Sequence, residues 1–221
     1  MAVYTTIDDP EAYFQTVIYT GNGSDDHAIT FAGDTDMSPN LIWQKNRTDA
    51  VSHGVFDTVR GIGGGSNTFR LLPDSGNAED DASNTVKSAD SDGFTLGTNA
   101  NLNGDSDLNV AWCWKESATA GFDIVLYTGN GSARTIAHSL SAVPSMMIVK
   151  NRGSGYGWQV YHHKNTSAPE TEIIYLHAAT ATADSNVEWN DTAPTSSVFT
   201  VGTDVGVNEN TKAMIAYLFT E

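Results

Sequence analysis

Acidic side chains alternate with small residues in two stretches that are rich in turn formers. The sequences DSDG at 90–93 and NGDSD at 103–107 place oxygen donors at every second position, an arrangement found in calcium-binding loops. Neither stretch has the twelve-residue spacing that ends in a glutamate, and turns held by Asp and Asn side chains explain the same residues equally well. The weak calcium candidates are Asp90, Asp92, Asp105 and Asp107. The sequence predicts no firm metal site and no bound cofactor.

Aromatic residues next to glycines are a second kind of candidate. They lie in GSGYGWQVYHH at 153–163 and in EWND at 188–191. A ring exposed on a loop can stack on a sugar, with Asn and Asp side chains as hydrogen-bond partners. Tryptophan is buried more often than not, so core packing is the alternative for the same residues. The possible glycan contacts are Tyr156, Trp158, Tyr161 and Trp189.

Sequence signatures of catalysis are missing. There is no G-x-S-x-G nucleophile motif, and the six histidines include no HxH or HExxH spacing. A glycan-degrading enzyme would need two carboxylates across a groove, which a sequence alone does not place. We therefore expect a protein that is not an enzyme.

The charge of the chain limits its partners. Of 221 residues, 27 are acidic and 11 basic, which gives a formal net charge of −16. Nucleic acids and anionic membranes are bound through clustered Lys and Arg, so we expect neither partner. No run approaches the ~20 apolar residues that span a bilayer. The first residues, MAVYTTIDDPEAYFQT, lack the basic and apolar regions of a secretory signal, which predicts synthesis in a cytoplasm.

The chain repeats itself. VIYTGNGS at 17–24 and VLYTGNGS at 125–132 differ at one position, at an offset of 108 residues. From the Lys-Asn-Arg motifs at 45–47 and 150–152 to the end of each copy, the offset stays at 105. Chance similarity would not keep one register over separate motifs, so the pattern predicts two copies of one fold. We expect an N-terminal segment at 1–13, a first repeat at 14–116 and a second repeat at 117–221.

Short apolar or alternating runs between turn signals predict an all-β protein. The predicted strands cover residues 14–20, 40–45, 54–59, 68–72, 93–97, 108–115, 122–128, 145–150, 157–162, 172–177, 197–201 and 212–219. One short helical turn is expected near 8–13, because Asp8 or Asp9 precedes Pro10. Many short strands in each copy favour two tandem, related β-sandwich units of the jelly-roll or concanavalin-like type.

The last strand of the first copy alternates between large and small residues. Val110, Trp112 and Trp114 point to one face, and Ala111 and Cys113 to the other. We expect the sheet to pack against a partner sheet. As the single cysteine, Cys113 excludes an intrachain disulfide and is expected to be a buried apolar residue.

Several motifs resemble those of a known group of proteins. They are YTGNGS, PxxxIxKNR, WNDTAPTSSVFTVGT and AYLFTE, together with TTIDDPEAYFQ, FDTVRG, SDGFTLGT and NVAWCWK in the first copy. Together they are similar to a repeat of tail-fibre and other structural proteins of tailed bacteriophages, and the similarity covers nearly the whole chain. The motifs mark a fold rather than a reaction.

The resemblance implies a virion protein. We expect a structural component on the tail or a tail fibre that contacts other virion proteins and, at the host surface, a receptor glycan. A head decoration protein is an alternative in the same class, and a carbohydrate-binding module is the alternative in another. Because virion components are symmetric assemblies, a homo-oligomer is expected, with a trimer favoured.

Overall fold

The chain folds into antiparallel β-structure with very little helix. The computed structural model describes residues 7–62 and 67–221. Within those residues the strands are β1 (Phe14–Thr20), β2 (His27–Ile29), β3 (Leu41–Asn46), β4 (Gly54–Asp57), β5 (Asn67–Arg70), β6 (Asp80–Ser83), β7 (Val86–Asp90), β8 (Gly93–Leu96), β9 (Leu108–Trp114), β10 (Phe122–Thr128), β11 (Arg134–Ala137), β12 (Met146–Asn151), β13 (Gln159–His162), β14 (Glu172–Tyr175), β15 (Ala183–Asp184), β16 (Val198–Val201) and β17 (Ala213–Phe219). Two four-residue helices, α1 (Ala100–Asn103) and α2 (Val205–Asn208), and 3-10 turns at Pro10–Ala12 and Pro169–Thr171 complete the fold. The predicted all-β class is confirmed.

The chain divides into two compact units. The first contains the described part of Met1–Leu72 together with Asp80–Ala120. The second contains Gly121–Glu221 and also the segment Pro73–Glu79. The repeat in the sequence gives no sign that this short segment belongs with the second unit.

In the first unit, a four-stranded sheet has the order β1-β9-β3-β4, and a three-stranded sheet has the order β2-β8-β7. Strands β5 and β6 form a separate hairpin. One hydrophobic cluster contains side chains from both larger sheets, including Ile42 and Cys113 from the first and Phe94 and Leu96 from the second.

In the second unit, a six-stranded sheet has the order β10-β17-β12-β13-β14-β15, and β11 pairs with β16. Its hydrophobic cluster again contains residues of both sheets, such as Val149 and Leu218 with Phe199 and Val201. The order β10-β17-β12-β13 repeats, strand for strand, the order β1-β9-β3-β4 of the first unit. The offset of 105 places β3 over β12, β4 over β13, β8 over β16 and β9 over β17.

All twelve predicted strands are present, and β1 and β10 have the predicted bounds. The predicted helical turn is the 3-10 turn Pro10–Ala12, whose N-cap Asp9 accepts a hydrogen bond from the backbone N–H of Glu11. Five strands were not predicted, namely β2, β6, β7, β11 and β15. They are short and partly polar, and their pairing with neighbouring strands defines them.

The alternation of β9 is confirmed, and the small residues are the ones that pack inward. Ala111 and Cys113 are fully buried in the hydrophobic cluster, whereas Trp112 and Trp114 are only partly buried. The small face of this strand therefore packs toward the core, and the tryptophan face points away from it. Burial raises the pKa of the Cys113 thiol. No helix within residues 7–62 and 67–221 is long and apolar enough to cross a membrane.

Candidate functional site

The four calcium candidates have structural hydrogen bonds or lie at the surface. Asp90 accepts hydrogen bonds from the hydroxyls of Ser88 (2.6 Å) and Thr95 (2.7 Å) and so fastens the β7–β8 hairpin. Asp92 accepts the N–H of Met37 at 3.3 Å, Asp107 accepts the side-chain amide of Asn46 at 3.0 Å, and Asp105 is exposed. Among the described residues, no three His, Cys, Asp or Glu side chains come together as a group that could hold a metal ion. The structure does not assemble these four into a site.

Three of the four aromatic candidates are core residues. Trp158, Tyr161 and Trp189 are 1%, 4% and 0% exposed. Trp189 donates its indole N–H to the carbonyl of Glu172 at 3.0 Å, and its ring meets that of Tyr161 edge-on. A ring that is packed on both faces cannot stack on a sugar, so the expectation of glycan contact is corrected for these three. Tyr156 is 39% exposed and remains available.

The repeated YTGNGS turns are held by one buried asparagine in each unit. In the first unit, Asn103 is fully buried at the end of α1. Its carbonyl oxygen accepts the N–H of Asn22 at 3.0 Å and the ring Nδ1–H of His27 at 2.7 Å. Its amide donates to the carbonyls of Ser24 and Gly97, at 2.9 and 2.8 Å. One side chain therefore links the turn after β1 to the segment after β8.

The second unit has the same arrangement at the equivalent positions. Asn208 accepts the N–H of Asn130 at 3.0 Å and donates to the carbonyls of Ser132 and Gly202, at 2.8 and 2.7 Å. The motif tyrosine also has the same role, since Tyr127 donates to a carbonyl of α2 just as Tyr19 donates to a carbonyl of α1. Burial raises the pKa of both tyrosine hydroxyls.

The glycines of this turn are required by space and by backbone angle. Gly23 and Gly131 have φ of +65° and +71°, in the left-handed region that favours glycine. A Cβ on Gly21 or Gly129 would lie 2.1 Å from a backbone carbonyl oxygen. The second glycine of each Gly-Asn-Gly turn therefore has a backbone conformation that other residues rarely adopt.

The Lys-Asn-Arg motif also stabilises loops. The amide oxygen of Asn46 accepts the N–H groups of Thr48 and Asp49, and that of Asn151 accepts the N–H of Gly153 at 3.0 Å. The ammonium of Lys150 is fully buried and donates to backbone carbonyls, among them those of residues 76 and 151 at 3.1 and 3.0 Å. Burial lowers the pKa of Lys150 to about 8.

The FDTVRG motif contains a buried ion pair. The guanidinium of Arg60 contacts the carboxylate of Asp57 at 2.5 Å, and neither side chain is exposed. Arg60 also donates to the carbonyls of Val55 and Phe69, at 3.0 and 3.1 Å. These bonds satisfy the buried charges and fix the segment between β4 and β5.

One surface of the first unit is not explained by folding. The outward side of β1, β9 and β3 carries Phe14, Trp112, Trp114 and Trp43, which we call the aromatic face. Trp43 lies directly across from Trp112, and Phe14 across from Trp114, with ring centroids 5.0 Å apart in the second pair. The three tryptophans are partly exposed and Phe14 is 40% exposed. Exposed apolar groups of this size mark interaction sites.

The aromatic face contains an apolar depression of about 320 Å³, lined by the three tryptophans and His53. The indole N–H of Trp43 donates to Nδ1 of His53 at 3.0 Å, with the two rings nearly perpendicular. This bond fixes the orientation of both rings. Two of the four side chains that line the depression are therefore held in place by each other.

A second depression, polar and of about 280 Å³, lies at β1. It is lined by Glu11, Phe14, Gln15, Thr16, Ala32 and Gly33. Phe14 belongs both to this depression and to the aromatic face, and Thr16 lies across from Trp112. Flat apolar rings and hydrogen-bonding side chains thus occur side by side on one surface.

This surface could not be predicted from the alternation of the sequence alone, because alternation shows which residues share a face but not which face is solvated. Trp112 and Trp114 were correctly placed on one face, but the prediction did not say which face of the strand packs against the partner sheet. A signal was available in Ala111 and Cys113, whose small side chains leave room for a second sheet to approach. Trp43 and His53 had no signal beyond their type.

The structure therefore defines an all-β protein of antiparallel sheets with an exposed aromatic face on its first unit. Residues 9–221 match the family described as a domain of unknown function, DUF7483, and the chain belongs to that family. Comparison with curated proteins and with solved structures finds no match.

Proposed function

We propose that the chain is a non-enzymatic structural protein of a tailed-phage virion, located on the tail or a tail fibre. Its sequence motifs resemble those of virion structural proteins. The observation that carries the proposal is the use of these motifs in the fold. Asn103 and Asn208, with the turns that they hold, are engaged in internal hydrogen bonds. Motifs used in this way maintain a shape, which is what a virion component supplies.

We further propose that each unit is a β-sandwich and that the two arose by duplication. Support comes from the shared strand order and from hydrophobic clusters that combine residues of two sheets in each unit. The equivalent hydrogen bonds of Tyr19 and Tyr127 add to it. A head decoration protein would use the same scaffold and differs only in its location on the particle.

The location is tested on purified virions. Mass spectrometry of gradient-purified particles, with tails and heads separated after osmotic shock, is expected to find the chain in the tail fraction at a defined copy number. Recovery in the head fraction would favour decoration. Its absence from intact particles, while it is present in the lysate, would refute a structural role.

The assembly is a separate part of the proposal. Virion components occupy symmetric positions, so we propose a homo-oligomer, with a trimer favoured. Light scattering of the purified chain across a concentration series measures this directly. A monomer at concentrations near those on a particle would refute the oligomer, although it would leave the virion location intact.

The second candidate function is carbohydrate binding, which the aromatic face favours. Three tryptophans on one sheet surface and a polar depression at β1 provide stacking and hydrogen-bonding groups. This candidate is compatible with the first, because a virion surface protein that contacts a host glycan has both properties.

A further inference from the structure

The rings of the aromatic face are partly exposed to water, which costs the protein the free energy that their burial would supply. Phe14 is 40% exposed, and on the same side of the sheet Ile18 and Leu108 are 70% and 49% exposed. Burial would stabilise the protein by about 25 cal/mol for each Å² of apolar surface, and surface that stays exposed does not contribute this free energy. A folded protein that keeps this surface open has a use for it that the fold itself does not supply.

The size of the surface favours a small ligand. A large aromatic side chain carries about 150–250 Å² in all, and no more than 40% of any of the four side chains is exposed, so the exposed parts of this face amount to at most about 400 Å². A stable protein interface takes about 800 Å² from each partner. A second copy of the chain is therefore disfavoured as the occupant.

The chemistry of the surface favours a sugar. A pyranose ring has an apolar side made of C–H groups and a rim of hydroxyls. The indoles of Trp43, Trp112 and Trp114 offer a flat apolar surface to the C–H side of the sugar. The carboxylate of Glu11 and the hydroxyl of Thr16 line the polar depression at β1 and offer hydrogen bonds to the hydroxyls. The amide of Gln15, in the same lining, is already used for internal hydrogen bonds to the carbonyls of Glu11 and Thr35.

The charge of the chain restricts which sugar binds. A carboxylate lines the polar depression, and the whole chain carries −16. Sialylated, sulfated or phosphorylated glycans would be repelled by this field. An uncharged oligosaccharide is not, and it can also hydrogen-bond to an ionised carboxylate, which acts as an acceptor.

We propose that the first unit binds an uncharged oligosaccharide, with one pyranose stacked in the depression of Trp43, Trp112, Trp114 and His53 and the next at Glu11 and Thr16. This inference rests on carbohydrate binding as a proposed function and gives it a site and a ligand class. It moves the glycan contact from the second unit, where the sequence analysis placed it, to the first.

The second unit supplies the sharpest test variant. At the offset of 105, His53 corresponds to Trp158, whose ring stacks on Tyr217 with centroids 6.3 Å apart. Tyr217 in turn corresponds to Trp112. A tryptophan at position 53 would therefore cover Trp112 in the same way. His53→Trp fills the depression with a side chain that this fold already accommodates at the equivalent position.

The experiment begins with the full chain on an array of neutral hexose and N-acetylhexosamine oligosaccharides beside sialylated and sulfated ones. The best neutral oligosaccharide is then titrated by calorimetry. Trp112→Ala and His53→Trp are each expected to weaken binding at least tenfold. Tyr156→Ala, an exposed aromatic of the second unit, is the matched control and is expected to leave affinity unchanged. Circular dichroism and thermal melts verify that each variant is folded.

Four outcomes would overturn the inference. They are no binding to any neutral oligosaccharide, preferential binding of anionic glycans, loss of binding in Tyr156→Ala alone, and a dimer that Trp112→Ala dissociates in sedimentation velocity. The virion fractions are a separate measurement. A chain that is present in tails but binds no sugar refutes this inference alone, and a chain that binds sugar but is absent from particles refutes the virion role alone.

Discussion

Asn208 holds the turn of the second unit through three side-chain hydrogen bonds, and its replacement by alanine is the most direct test of the proposed scaffold. The carbonyl of Gly202 is buried, so Asn208→Ala leaves it without a partner. Such a group costs about 1–3 kcal/mol. Asn130 and Ser132 are exposed, so water replaces part of the hydrogen bonding that their backbone groups lose. We expect a total of about 3 kcal/mol.

That cost is a large share of the stability of such a domain. Domains of this size have about 5–15 kcal/mol of unfolding free energy. For a unit of about 100 residues, each kcal/mol lowers Tm by about 4–8 °C, so Asn208→Ala is expected to lower the Tm of the second unit by roughly 12–24 °C. The assay is urea unfolding followed by tryptophan fluorescence, because Trp158 and Trp189 are buried in this unit and report its opening.

Two further variants separate hydrogen bonding from side-chain volume. Asn208→Asp keeps the shape but turns a carboxylate oxygen toward carbonyl oxygens that now lie 2.7 and 2.8 Å from the amide. It is expected to be at least as destabilising as alanine at pH 7, and less so at acidic pH, where the protonated acid donates. Asn210→Ala, at an exposed position two residues further, is the control. A loss below 1 kcal/mol in Asn208→Ala, or a stable Asn208→Asp at pH 7, would refute the reasoning.

Three other perturbations test buried groups. Glu188 is buried, its Oε2 has no hydrogen-bond partner among the described residues, and burial raises its pKa. The folded state therefore keeps the Glu188 proton to a higher pH than the unfolded state does. As a result, the free energy of unfolding falls as the pH rises from the pKa of the unfolded state to the higher pKa of the folded state. Glu188→Gln should abolish this fall and raise stability at pH 7 by about 1 kcal/mol in chemical denaturation, and an unchanged pH profile would contradict this. Because the pKa of Lys150 is about 8 and that of a free lysine about 10.4, the unfolded state binds an extra proton between these values, and this group's contribution to stability rises with pH there. Lys150→Met should remove that rise from the pH profile while Lys45→Met retains it, and equal profiles would refute the assignment. Gly129→Ala places a Cβ 2.1 Å from a carbonyl oxygen and should lower the free energy of unfolding by about 2–3 kcal/mol, measured by thermal melts. In the control Gly155→Ala the nearest atom is 4.0 Å from the new Cβ, so little change is expected. Similar melting temperatures for the two variants would count against the close approach at Gly129.

The fold class and the strands with clear sequence patterns could be predicted, because the signals for them lie within short stretches of sequence. Strands β1 and β10 combine alternating or apolar residues with a Gly-Asn-Gly stop, so both their type and their ends are encoded within ten residues. Strand β15 has two exposed residues and exists because Ile173 and Glu172 of β14 pair with it. Pairing of this kind is decided by the assembled sheet and leaves no pattern in the strand itself.

The two short helices were missed because four residues are too few for helical periodicity. Their signal was an N-cap, Asn99 in one unit and Asp204 in the other, each accepting a backbone N–H two residues later. The buried asparagines at their ends, Asn103 and Asn208, stand at the repeat offset. Comparing the copies for shared polar residues, rather than shared motifs, would have identified both.

The burial of the aromatic candidates could not be predicted from their local sequence. Trp158 and Trp189 stand next to glycine or asparagine in segments that resemble loops, yet both are buried. Whether a ring is covered depends on residues distant in sequence, such as Tyr217 for Trp158. Composition and spacing identified aromatic residues as candidates, and only the three-dimensional arrangement separated core rings from available ones.

The comparison of the two units separates what the fold needs from what one unit does. The residues that hold the turns are the same in both, as in Asn103 and Asn208. Among the outward residues of the central sheet, the ring pair Phe14–Trp114 has an equivalent in Phe122–Phe219. The centre of the aromatic face differs: Trp43 and Trp112 correspond to Ile148 and Tyr217, which are 7% and 3% exposed. If the tryptophans served the fold, the second unit would lack something that the first requires, yet it has the same strand order without them. The open aromatic face is therefore a feature of the first unit that the shared strand order does not require, and it is the place where we propose that a ligand binds.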